Sequence, residues 1–122
     1  MTDQELSNLR EMLELAAKAA NYEVKWIGER FLLWDGDGEY WYPSEDDGDA
    51  FRLATRLRLD ISHNILDNNW VLVERGRYQG FGHVCIMIED FDESERNEAT
   101  RRAILKAAAE IGIKEKEYEQ SN

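Results

Sequence analysis

Cysteine and proline each occur once in 122 residues, and histidine only twice. A lone Cys85 cannot form an intrachain disulfide and suits a reducing compartment. A lone Pro43, with no stretch rich in Pro, Gly or Ser, leaves no linker and hence no second domain. Long apolar runs are missing too, since none approaches the roughly 20 residues that span a bilayer. The opening Met-Thr-Asp-Gln-Glu is acidic and polar rather than basic then apolar, so no signal peptide is expected and the chain reads as cytosolic. Basic charge is scarce: 15 Lys and Arg against 26 Asp and Glu give a formal net charge of −11. Such a field repels nucleic-acid phosphates and anionic membranes and attracts basic proteins.

Catalytic patterns are also missing. There is no Ser-His-Asp set, phosphate-binding glycine loop, zinc-ligand spacing or dinucleotide fingerprint. His63 and His83 fall on different expected strands, and a metal site would need them to meet a carboxylate. Cys85 has no basic neighbour in sequence and reads as a small core hydrophobe. With 26 acids, carboxylates lie close by chance, so no glycosidase-type pair can be singled out. These absences favour a binding role and an expectation of no cofactor and no enzyme activity.

What is present builds a core. Hydrophobic residues make up 43% and charged residues 34% of the chain, a globular balance. Thr2 and Glu5 form a capping-box pattern that opens a helix to about Ala20, with Leu6, Leu9, Leu13, Ala16, Ala17 and Ala20 on one stripe. Asn21 suits its C-terminal cap. Tyr22, Val24 and Trp26 alternate with Glu23 and Lys25 as a half-buried strand, Gly28-Glu29 makes a tight turn, and Phe31 to Trp34 returns. Glu39 to Tyr42 is a short third strand that Pro43 ends. Ala50, Leu53, Ala54 and Leu57 line a second helix. Strands are expected over Ile61 to Leu66, Trp70 to Glu74 and His83 to Glu89. The last has Val84, Ile86 and Ile88 on one face and Cys85 and Met87 on the other, which predicts a central strand covered on both sides. Asp92 and Glu95 cap a final helix with Ala103, Ile104, Ala107, Ala108 and Ile111 buried and Gly112 as its stop.

The order α-β-β-(β)-α-β-β-β-α with short connections predicts an α+β fold. It is a three-layer α/β/α sandwich with three helices and a mainly antiparallel sheet of about five strands. One domain covers residues 1–113, and 114–122 form a polar, frayed tail.

The stretch "SEDDGDAFRLATRL" packs Glu45, Asp46, Asp47 and Asp49 around Gly48. From Asp35, "DGDGEYWYPSED" resembles a calcium loop superficially, with Asp37 and Asp46 among its acids. Its sixth position is Tyr40 where such a loop needs Gly, and its twelfth is Asp46 where Glu is usual. A helix start explains the acids better, with Asp46 or Asp47 as the cap and the others near the positive end. Alternation sets Tyr40 and Tyr42 opposite Trp41, and exposed tyrosines beside acids are the composition of a protein-recognition surface. The candidate partner-binding residues are therefore Tyr40, Tyr42, Glu45 and Asp47, with Arg77, Tyr78 and Phe81 from the long connection between Gly76 and Gly82.

Three blocks, "ELAAKAANYEVKW", "WYPSEDDGDAFRLATRL" and "ATRRAILKAAAEIG", together resemble the phage ABA sandwich domain proteins, small proteins of tailed phages and prophages. The resemblance spans nearly the whole chain. It implies a three-layer domain of phage or prophage origin in a host bacterial cytoplasm, and supplies no activity. The chain departs from that pattern mainly between Gly76 and Gly82, where a variable function is expected. The expectation is a non-enzymatic accessory protein that binds a basic host or phage protein, blunting a defence system, without direct nucleic-acid or membrane contact. The rivals are a DNA mimic whose carboxylates imitate phosphates, a metal-dependent enzyme using His63, His83 and nearby carboxylates, and a homodimer covering its own apolar area.

Overall fold

The computed structural model describes residues 2–28, 39–76 and 82–120, and the backbone of 30–34 and 121. Helix starts follow the local chemistry of the chain. Thr2 Oγ1 accepts a hydrogen bond from Glu5 N at 3.1 Å and opens α1 (Asp3–Ala20). Asn21 closes it in the left-handed region at φ 61°. β1 (Glu23–Ile27) pairs antiparallel with β2 (Arg30–Trp34), and the pairing of Ile27 with Arg30 leaves a two-residue turn at Gly28, φ 60°. Val24 and Trp26 are half-buried while Glu23 and Lys25 face solvent. The third strand expected over Glu39 to Tyr42 shrinks to a single bridging residue, Tyr40.

α2 (Asp47–Arg56) begins where Asp46 Oδ2 accepts from Asp49 N at 2.8 Å. β3 (Asp60–His63), β4 (Trp70–Arg75) and β5 (Val84–Glu89) form an antiparallel sheet in the order β3-β4-β5. β3 is shorter than expected: Ile65 and Leu66 stand exposed in the loop that follows it. The described strands thus fall into a hairpin and a three-stranded sheet rather than one sheet of about five. A short 3-10 turn (Glu93–Glu95), in which Asp92 N donates to Glu95 Oε1 at 3.3 Å, leads into α3 (Arg96–Ser121).

α3 is the axis of the core. Ala99, Ala103, Ile104, Leu105, Ala107, Ala108, Ala109 and Ile111 are all buried, apolar around more than one side, because α1, α2 and the sheet all pack on it. The alanines let these neighbours approach closely. Gly112, expected as the stop, instead lies inside the helix, where a Cβ would overlap the backbone carbonyl of Leu15 in α1. Residues 114–121, expected as a frayed tail, continue the helix, and Lys18 meets Glu119 at 3.0 Å. No helix among the described residues is long and apolar enough to cross a membrane.

The sheet has two unlike faces. Val71, Val73, Val84 and Ile88 are buried on the side of the helices. The other side carries Asp60, Ser62, Trp70, Leu72, Glu74, Cys85, Met87 and Glu89 by register. β4, not β5, is the middle strand, and the apolar pattern of β5 does not mean cover on both faces: Cys85 is exposed and Met87 is 48% exposed. Cys85 is therefore a surface thiol rather than a core side chain.

Candidate functional site

The acidic knot is consumed by architecture. Asp46 caps α2. Asp47 Oδ1 pairs with Arg101 Nη1 of α3 at 2.6 Å, while Arg101 Nε donates to Ser44 O at 3.1 Å. Asp49 accepts from Arg52 Nη2 at 2.7 Å and from Tyr42 N at 2.9 Å. The Asp49 carboxylate raises the Arg52 pKa above its usual value by accepting that side-chain hydrogen bond. Of the other residues singled out there, Tyr40 is half exposed, Tyr42 half-buried and Glu45 exposed. Trp41, on the opposite side, is buried with its ring edge-on to Tyr22 at 5.9 Å. Arg77, Tyr78 and Phe81 lie outside the described residues, as do Asp35 and Asp37.

The two histidines do not converge. His63 stands at the end of β3, where Arg96 Nη1 reaches its Nδ1 at 3.0 Å. Arg96 also donates to Asn64 Oδ1 (2.9 Å), Asn69 Oδ1 (3.1 Å) and both oxygens of Glu93 (2.9 Å). The hydrogen bond from Arg96 holds the Glu93 carboxyl below the usual carboxylate range. This cluster clamps the base of the 64–69 loop onto the start of α3.

His83 sits on the side of the sheet away from the helices, with Glu74 and Cys85. Its Nε2 is 3.2 Å from Glu74 Oε2, and its carbonyl accepts from Lys114 Nζ at 2.9 Å, which ties it to α3. Cys85 follows two residues later on the same face of the strand and lies directly across the ladder from Glu74. The potential ligand atoms of Glu74, His83 and Cys85 all lie within 4.8 Å of one another. Glu74 is 7% exposed, although it is a carboxylate in the middle strand. A carboxylate at this depth is held by its partners, His83 among them. A thiol, an imidazole and a carboxylate are the donor types of a zinc-class cation. Sequence reasoning missed this group. The spacing of His83 and Cys85 was a signal for one face of a strand, but Glu74 joins them only through cross-strand register.

Around this trio the face away from the helices has an apolar middle, half-buried Trp70 and Leu72 with exposed Met87. Its described charged side chains are acidic: Asp60, Glu74 and Glu89. Comparison with protein-family models, curated proteins and solved structures returns no match.

Proposed function

We propose that this chain is a non-enzymatic binding domain that receives a basic protein on the side of its three-stranded sheet away from the helices. One observation carries the reading: helices cover one side of the sheet, while on the other Met87 is exposed beside half-buried Leu72, between Asp60 and Glu89. An apolar centre with a charged rim is the anatomy of a protein interface, and the rim's sign selects a basic partner. The net charge of −11 adds long-range attraction. The three-block resemblance to phage ABA sandwich proteins supports a phage or prophage accessory role, with a host or phage protein as partner and a defence system as its target. The same resemblance is what supports a three-layer layout.

The residues that the sequence suggests around the start of α2, Tyr40, Tyr42, Glu45 and Asp47, are the competing location. The two are separated by a photo-crosslinking side chain placed in turn at Met87, at Tyr40 and at exposed Phe51 of α2. Capture of one stoichiometric basic protein from host cells through Met87, and not through Phe51, is the expected result. Capture through Tyr40 alone moves the interface to that competing location, and equal or absent capture from all three positions refutes the binding reading.

A further inference from the structure

We infer that Glu74, His83 and Cys85 form a binding site for a zinc-class divalent cation, with a fourth coordination position open toward solvent. This site is distinct from the histidine–carboxylate combinations that the sequence suggests, because it excludes His63 and recruits the chain's lone thiol.

Geometry carries the inference. In a tetrahedral zinc site with Zn–N and Zn–O near 2.0–2.2 Å, the nitrogen and oxygen ligands sit roughly 3.3–3.4 Å apart. His83 Nε2 and Glu74 Oε2 are 3.2 Å apart. An ion can therefore sit between them with little movement of either side chain. A thiolate at about 2.3 Å from the same ion belongs roughly 3.6 Å from each partner. Cys85 Sγ already lies within 4.8 Å of both, so a small adjustment of an exposed side chain closes the set. All three residues stand on or beside two paired strands, and Lys114 holds the His83 carbonyl. The backbone is thus set before a ligand arrives, which limits the ordering cost of binding.

The donor chemistry selects the ion. Sulfur and imidazole nitrogen suit zinc and its transition-metal neighbours, whereas calcium and magnesium take oxygen ligands. Three protein ligands with the Cys85 side exposed leave room for water or for a group from a docked partner, as in sites that keep an open position.

Cobalt(II) titration of the reduced, untagged full chain tests this, because a cobalt–thiolate bond gives a charge-transfer absorption that carboxylates alone cannot. The expected result is a one-to-one titration with that absorption, reversed by one equivalent of zinc and unmoved by excess magnesium or calcium. Cys85→Ser abolishes the absorption, and His83→Gln and Glu74→Gln each weaken zinc binding at least tenfold by competition with a chromophoric chelator. Cys85 is exposed, so its serine variant folds, and an unchanged circular dichroism spectrum verifies this. A titration without thiolate absorption overturns the inference, as does zinc affinity that Cys85→Ser leaves unchanged, since the ion would then sit among the surface acids.

Discussion

Gly112 sets two opposing effects against each other. In an ordinary helix interior, replacing glycine by alanine stabilises by up to about 1 kcal/mol, because glycine loses more backbone freedom on folding. Here the added methyl group would overlap the Leu15 carbonyl, and that atom belongs to a helix backbone with no flexible end to yield. Overpacking of this kind costs about 1–3 kcal/mol. Gly112→Ala is therefore expected to destabilise the fold, with a lower urea midpoint at unchanged slope, and a raised midpoint would show that α1 and α3 do not cross there. Glu93 gives a second residue-scale expectation with the sign fixed by its partner. Arg96 depresses the carboxyl pKa, so the contribution of this pair to stability is present above the ordinary glutamate range and lost as pH falls through the lowered value. The side-chain carbon of Glu93 should titrate by NMR below an ordinary glutamate, and Arg96→Gln should bring it back. Equal titration in both proteins would mean that the contact does not persist in solution.

Helix ends are the elements most legible in the sequence, and the reason is locality. Thr2 with Glu5, Asp46 with Asp49, and Asp92 with Glu95 each complete their hydrogen bonds within one turn, so the residues that decide them are adjacent in the chain. Asp46→Ala should accordingly cost about 1 kcal/mol, with increased amide exchange confined to the first turn of α2. Uniform loss of protection across the molecule would count against a purely local cap. Strand neighbours are another matter. The alternation in Val84 to Glu89 was visible, but whether its second face meets a helix depends on where α1, α2 and α3 pack, which no window of sequence contains. Gly112 misled for a related reason: glycine marks both helix stops and close crossings, and only the position of Leu15 distinguishes them. The Glu74–His83–Cys85 group lay half in view, since the pairing of Glu74 with Cys85 is a product of the β4–β5 register.

At the scale of the whole molecule, the proposed binding divides its work between charge and shape. Twenty-six acids against 15 bases surround the protein with a negative field, yet several of those acids are committed to caps and to Arg52, Arg96 and Arg101. Their local pairs are short-ranged, whereas the net field reaches a partner from about 10 Å at 0.1 M salt and only about 3 Å at 1 M. In the proposed complex, attraction at a distance would govern encounter, and the apolar residues Leu72 and Met87 would govern how long the complex lasts. With the partner recovered through the crosslink at Met87, surface plasmon resonance should show association slowing steeply as salt rises while dissociation changes little. Met87→Lys should do the reverse, speeding dissociation at least tenfold because it sets a cation against a basic surface and removes apolar contact. If salt acted only on dissociation, or Met87→Lys bound as the parent does, the partner would have to sit on another face, and the acidity of the chain would serve solubility alone.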